Sequence, residues 1–113
     1  MKGSLGDEQR LVHILQSIAE IEDYTANADL LEFKSNSMLR FASIKQIEII
    51  GEAANQITVE TKSNFPEIDW REIVALRNIL IHEYFGIDAN IVWQIIKIDI
   101  PDLKTKLLKP NQG

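Results

Sequence analysis

Apolar residues that recur every three or four positions are the feature that most constrains this chain. In residues 7 to about 27 this spacing places them on one stripe of an amphipathic helix. The residues of that stripe are Leu11, Ile14, Leu15, Ile18 and Ile21. No segment alternates between apolar and polar residues as a half-buried strand does. The pattern therefore predicts an all-α fold.

The second predicted helix, Ser37 to Ile57, is apolar on two sides. Such a helix is either central or has one face against a partner chain. Gly51 lies within it, where glycine costs about 1 kcal/mol relative to alanine. That cost is easiest to understand if another backbone packs closely against Gly51.

Start and stop signals divide the first half of the chain from the second. Residues 27–36 are predicted to form a connection with room for one helical turn. Residues 58–66 are predicted to form a loop, also with room for one helical turn, that Pro66 closes. Asp69 followed by Glu72 resembles a capping box, so the third helix is predicted to begin at about Trp70. Gly86 is a natural C-terminal cap for it.

The C-terminal third is predicted to hold two shorter helices. Asp88 can cap a fourth helix, and Pro101 suits the first turn of a short fifth helix. Residues 110–113 are predicted to fray. The predicted architecture is an up-and-down bundle of four main helices plus a short C-terminal helix, within a single domain that spans residues 1–113.

Composition limits the classes of function. The net charge of −5 argues against broad, non-specific coating of nucleic acid, although a local basic site remains possible. The absence of cysteine excludes disulfides and thiolate metal sites. The sequence lacks a membrane-spanning apolar run and a signal peptide, so a soluble, cytoplasmic protein is expected. The acidic residues that crowd the N-terminal third, Asp7 among them, are expected to form a solvated surface.

Arg77 lies in the middle of the apolar stripe of the third helix. A guanidinium is costly to bury alone, so it should meet a carboxylate, carbonyl groups or an anionic ligand. Glu48 and Glu52 of the second helix are the candidate carboxylates. Asn78 and His82 share a polar strip about 100° round the helix from Arg77. On spacing alone, a structural ion pair and a histidine without a catalytic role are the commoner interpretation.

Arginine, asparagine and histidine also suit one reaction, the cleavage of RNA by attack of the 2′-hydroxyl on the adjacent phosphate. Histidine transfers the proton, arginine binds the phosphate, and asparagine orients a phosphate oxygen or the imidazole. One histidine cannot easily act at both oxygens, and Arg77 and His82 point about 140° apart on an ideal helix. A two-fold dimer would bring two copies of this helix to one cleft. His13, opposite the apolar stripe of the first helix, is expected at the surface.

The spacing Arg77, His82, Tyr84 resembles the R-x4-H-x-Y motif of the HepT-like toxins within the HEPN domain superfamily. Longer segments are also similar to that family, and the resemblance covers roughly residues 10–108. These segments read IEIIGEAANQI from Ile47, FPEIDWREI from Phe65 and RNILIHEYFGID from Arg77.

The resemblance implies a dimeric helical bundle that acts as a metal-independent ribonuclease toxin of a type VII-like toxin–antitoxin pair, without a cofactor. The implied catalytic residues are Arg77, Asn78 and His82. The implied partner is a minimal nucleotidyltransferase antitoxin of the MntA type, which would transfer AMP to Tyr84. Further RNA contacts are expected from Arg71, Arg40 and Lys45.

A second interpretation is a non-catalytic helical module that serves as a binding or regulatory partner of a nucleotidyltransferase. A di-iron bundle is excluded because neither histidine belongs to a Glu-x-x-His pair: Arg10 and Ile79 lie three residues before His13 and His82.

Overall fold

The computed structural model describes the backbone of residues 2–82 and 88–109 and the side chains of residues 6–78 and 88–109. A π-helical turn, Ile95–Asp99, joins the last two of its seven α-helices. The seven are α1 Lys2–Thr25, α2 Leu30–Ser35, α3 Ser37–Gln56, α4 Val59–Lys62, α5 Trp70–His82, α6 Ala89–Gln94 and α7 Ile100–Leu107. Within these ranges there is no strand, which confirms the predicted all-α class. None of the helices described has a stretch long and apolar enough to span a membrane.

α3 is the central helix of the fold, which is one of the two arrangements that its two apolar sides left open. It packs against α1 and against α5. Ile14 and Ile18 of α1 and Ile47 and Ile50 of α3 are fully buried. Each such side chain contributes about 1.5–3 kcal/mol through its removal from water. The position of α5, and therefore of any side chain it carries, is set by this central helix.

α3 and α5 pack closely against each other at Gly51. A Cβ atom at Gly51 would lie 2.5 Å from the Cβ atom of Arg77 and 3.3 Å from its backbone nitrogen and Cα atoms. Any side chain at this position would therefore collide with the other helix. The expectation that another backbone packs against Gly51 is confirmed, and the backbone in question carries Arg77.

Capping residues begin α5 and α6 where the sequence predicted. The Oδ1 atom of Asp69 accepts a hydrogen bond of 3.2 Å from the backbone N–H of Glu72, so α5 begins at Trp70. The carboxylate of Asp88 accepts one of 2.8 Å from the N–H of Asn90. The predicted end of the third helix at Gly86 lies outside the described residues, as does the predicted fraying of residues 110–113.

The predicted fourth and fifth helices correspond to α6 and α7, which the π turn joins into one continuous helical segment. Pro101 has no N–H and its ring clashes with a carbonyl one turn back, so the regular ladder cannot run through it. The backbone accommodates this with the π turn, in which the N–H of Ile100 bonds to the carbonyl of Ile95. Periodicity alone does not reveal such a shift.

Asp7 contradicts the prediction of a solvated acidic surface, because it is buried. Its Oδ2 atom accepts hydrogen bonds of 2.5 Å from the hydroxyls of both Thr58 and Thr61, and its Oδ1 atom accepts one of 3.2 Å from the Thr58 N–H. Burial alone would raise the pKa of Asp7, but these hydrogen bonds outweigh it and hold the pKa below its ordinary value. Asp7 thereby ties α1 to α4, which the sequence predicted only as a possible turn.

Candidate functional site

Arg77 has the carboxylate partner that its place in the apolar stripe requires. Of the two predicted candidates, Glu52 makes the bond: Nη1 of Arg77 lies 2.7 Å from Oε2 of Glu52. The Arg77 side chain is 21% exposed and that of Glu52 is 59% exposed. The ion pair is therefore open to solvent, and a dissolved anion can reach the guanidinium.

Asn78 holds the guanidinium from the other side. Its Oδ1 atom accepts hydrogen bonds from Nε and Nη2 of Arg77, at 3.3 Å and 3.0 Å. A guanidinium has five N–H groups, and three of them are used by Glu52 and Asn78. The remaining two, one on each Nη atom, make no hydrogen bond to a described residue. Together with the Asn78 amide N–H groups, they form a set of donors suited to an anionic oxygen.

The Glu52 carboxylate orients Arg77 more than it stabilises the fold. An exposed ion pair is worth about 0–1 kcal/mol, because water screens it and two long side chains must be ordered. A phosphate could therefore share the guanidinium with Glu52 at little cost in stability.

The other two residues of the motif are His82 and Tyr84, and of these only the backbone of His82 is among the described residues. His82 is five residues after Arg77 on α5, which is about 7.5 Å along the helix axis. Its side chain, and the whole of Tyr84, lie outside the described residues. His13 is exposed on α1, as expected.

The three predicted RNA contacts lie in different places. Arg71 is exposed on α5 and lines the same cleft as Asn78. Arg40 donates hydrogen bonds from Nη1 to the backbone carbonyls of Phe33 and Lys34, at the end of α2. Lys45 is exposed on α3. Only Arg71 is brought beside Asn78, since neither Arg40 nor Lys45 lines that cleft.

The cleft beside Asn78, here called the α5 groove, brings together residues of three helices. Its walls are formed by Asn55, Lys62, Trp70, Arg71, Val74, Ala75 and Asn78. Both charged residues among them, Lys62 and Arg71, are cations. Sequence reasoning missed Lys62 of α4, because no periodic signal shows that this short helix lies near the start of α5. It also missed Asn55 of α3.

A second cleft, here called the acidic cleft, is lined by other residues of α5, by the preceding turn, and by the π turn and α7. Four of its lining residues are acids, Asp69, Glu72, Asp99 and Asp102, and one is a cation, Lys106. Burial, together with the neighbouring Asp102 carboxylate, raises the pKa of Asp99 above its ordinary value. Among the side chains described, no group of three His, Cys, Asp or Glu residues could hold a metal ion.

A family model identifies the family to which the chain belongs. The model of the family described as Ribonuclease HepT-like matches residues 14–109, a range that includes Glu52, Arg77, Asn78 and His82. The chain belongs to the HepT-like ribonuclease family. This confirms the family resemblance expected from the motif and supports ribonuclease activity.

Individual relatives agree with the HepT-like assignment. A candidate RNase of Methanocaldococcus jannaschii is 44% identical over 97 residues, which cover 86% of this chain and 89% of that protein. A protein of Thermococcus cleftensis named as a probable ribonuclease HepT is 41% identical over 88% of this chain and 90% of its own length. A further M. jannaschii protein, named as both a gamma-glutamylcyclotransferase and a candidate RNase, is 42% identical, and the match spans 45% of its length. No solved structure matches the chain.

Proposed function

We propose that this HepT-like protein is a metal-independent endoribonuclease that cleaves RNA by attack of a 2′-hydroxyl on the adjacent phosphate. The observation that carries the proposal is the Arg77 guanidinium, which is held in place by Glu52 and Asn78 yet is still open to solvent. Two of its N–H groups and the Asn78 amide make no hydrogen bond within the described part of the chain and could serve as donors for a phosphate.

In the proposed reaction, His82 removes the proton from the 2′-hydroxyl as the 2′-oxygen bonds to phosphorus. Arg77 and Asn78 donate hydrogen bonds to the phosphate oxygens, on which negative charge increases in the transition state. The bond from phosphorus to the 5′-oxygen breaks, and His82 of the partner subunit protonates the leaving oxygen. The products are a 2′,3′-cyclic phosphate and a 5′-hydroxyl, with no net gain or loss of protons.

A homodimer is part of the proposal, because a single His82 cannot easily serve both oxygens. The solvent face of α3 gives a second copy a surface to cover. Met38 and Phe41 on this face are 83% and 54% exposed. Glu52 is eleven residues after Phe41, or three turns and about 20°, so it lies on the same strip. A partner docked there would sit beside the Glu52–Arg77 pair.

We further propose that the protein is a toxin neutralised by an MntA-type nucleotidyltransferase, which transfers AMP to Tyr84. A nucleotide two residues from His82 would add bulk and negative charge that repel the phosphates of RNA. Intact-mass measurement of the co-expressed pair should show one AMP, and Tyr84→Phe should remove it. An unmodified mass with full neutralisation would instead indicate inhibition by complex formation.

The second candidate function is a non-catalytic partner subunit of such a nucleotidyltransferase. The Glu52–Arg77 bond favours it to this extent: the carboxylate already balances the charge that catalysis would use. The two candidates differ in whether the isolated protein cleaves RNA.

The deciding experiment incubates the purified protein, free of any partner, with single-stranded RNA in EDTA. We expect cleavage to leave a 2′,3′-cyclic phosphate. A strand in which hydrogen replaces every 2′-hydroxyl should stay intact. Cleavage of that deoxy strand would refute the mechanism. His82→Ala should abolish activity, whereas His13→Ala, which changes the other histidine of the chain, should retain it. Intact RNA with the unmodified wild-type protein would favour the non-catalytic alternative.

A further inference from the structure

The α5 groove is continuous with the proposed catalytic residues. Asn78 belongs to both, because its side chain lines the groove and its Oδ1 atom binds the Arg77 guanidinium. We propose that the groove binds the backbone phosphates of single-stranded RNA that flank the cleaved bond, with Lys62, Arg71 and Asn55 as contact residues. The proposal rests on the proposed ribonuclease function and gives its substrate a path across the protein.

The charges of the groove favour a polyanion over other ligands. Lys62 and Arg71 are both cations, and none of the described residues that line the groove is acidic, although the whole chain carries a net charge of −5. Two local cations give a local attraction to phosphate, with release of the counterions that the phosphates had held. Asn55 and Asn78 add polar groups of the kind that bind phosphate and sugar oxygens.

Two of these residues, Arg71 and Asn78, form a row along α5. Arg71 and Asn78 are seven residues apart, which is two turns or about 10.5 Å along the axis, and they differ by about 20° in direction. A strand that follows this row would pass from Arg71 to Asn78 and reach the Arg77 guanidinium.

Lys62 is held beside that row by Trp70. Its Nζ atom lies 5.9 Å from the centre of the Trp70 ring, within the range of a cation–π contact. Trp70 itself is 8% exposed and cannot offer its ring face to a base. The groove therefore offers contacts to the RNA backbone rather than stacking, and its binding should depend little on base sequence.

The test measures binding of a fluorescent oligonucleotide with 2′-hydrogens throughout, which the proposed reaction cannot cleave, by anisotropy over a range of salt concentrations. For single strands, the slope of log K against log salt changes by about 0.7 for each phosphate contact. The double variant K62Q/R71Q should therefore flatten the slope by about 1.4 and weaken binding at low salt. Strands of different sequence should lose affinity to the same extent.

The matched control is K97Q/K106Q, which removes the same net charge outside the groove. Lys97 also lies over a tryptophan ring, with its Nζ atom 4.7 Å from the centre of Trp93, and Lys106 lines the acidic cleft. This control should bind with nearly the wild-type slope. Equal losses of affinity and slope in both double variants would show only an effect of net charge and would refute RNA binding in the α5 groove.

The readout separates this inference from the proposed function, because the oligonucleotide is bound and not cleaved. If the wild-type protein cleaves RNA while K62Q/R71Q keeps the full salt slope, RNA binding in the α5 groove would be refuted and the ribonuclease function would stand. Wild-type binding that is lost in K62Q/R71Q, without any cleavage of RNA, would support the groove and reject the nuclease. If K62Q/R71Q instead lost only its binding to the nucleotidyltransferase, the groove would be a protein-docking surface and the inference would be wrong.

Discussion

The two clefts beside α5 differ in the sign of their charge. The α5 groove has Lys62 and Arg71 in its walls, whereas the acidic cleft has four acids and a single cation, Lys106. Phosphates should be attracted to the first and repelled from the second. An acidic net charge is therefore compatible with RNA binding, provided that the cations of one surface are kept apart from the excess of carboxylates.

The comparison also shows what places Arg77, the residue proposed to bind the phosphate. Arg77 stands where α5 touches the central helix at Gly51, and its guanidinium leads to the groove through Asn78. Substitutions on the groove side of α5 should therefore change the binding or cleavage of RNA, and those on the side of the acidic cleft should not. Single substitutions and a change of pH can test this contrast.

Arg77→Ala should lower kcat/KM for RNA cleavage by about 100-fold or more, because a donor to the transition-state charge is lost. The loss should be measured with a defined single-stranded RNA under single-turnover conditions. Lys106→Ala, which removes a cation of the acidic cleft, should keep at least half of the wild-type rate. A similar loss in both variants, with both still folded, would break the contrast between the clefts.

Gly51→Ala should destabilise the protein by about 1–3 kcal/mol, because the new Cβ atom would lie 2.5 Å from that of Arg77 and push α5 away. Urea unfolding measures the loss, and cleavage should fall with it because Arg77 moves. The control is Gly6→Ala, whose Cβ atom would meet only the flexible end of Arg10, at 2.7 Å. Equal stability of the two alanine variants would show that α5 has room to shift.

Several features of the fold and site could be predicted because they depend on local rules. The periodicity of apolar residues gave the central α3, and the cap at Asp69 gave the start of α5. The cost of an unpaired guanidinium pointed from Arg77 to Glu48 or Glu52, of which Glu52 makes the bond. The cost of a helical glycine pointed to close packing at Gly51. In the last two cases, Arg77 and Gly51 each carried a free-energy penalty that a particular neighbour offsets.

Other features could not be predicted because they depend on how short segments dock. Lys62 joins Arg71 only because the single turn of α4 packs beside α5. Asp7 lies in a charged segment, and its need for hydrogen bonds does not reveal that Thr58 and Thr61 supply them across more than fifty positions. The π turn before Pro101 reflects backbone geometry to which periodicity is blind.

Acidification should loosen the wall of the groove that α4 provides, because Asp7 anchors Thr61, the neighbour of Lys62. The pKa of Asp7 is lowered in the folded state, so its stabilisation is fully present above the ordinary value of 3.8. It is lost as the pH falls from there through the lower folded-state pKa. Chemical unfolding followed from pH 7 to pH 2 should therefore show a decline over this window.

The variant that isolates this effect is Asp7→Asn, which keeps the shape of the side chain but removes the charge. Its free energy of unfolding should be lower at pH 7, by about 1–3 kcal/mol, because two hydroxyls and one N–H lose a charged acceptor. It should also vary less than the wild type below the ordinary aspartate pKa. A wild-type decline that persists unchanged in Asp7→Asn would assign the acid sensitivity to other carboxylates.

Asp99→Asn should have the smallest effect, and in the opposite direction. The pKa of Asp99 is raised by burial and by Asp102, so its charged form destabilises the folded state above that pKa. The amide should raise Tm slightly at pH 7, by less than the ~4 °C expected for about 1 kcal/mol, and the gain should vanish in acid. RNA cleavage and the salt dependence of binding should stay at wild-type values. A severalfold change in either would place RNA in the acidic cleft, and the division of charge between the two sides of α5 would no longer explain where the strand runs.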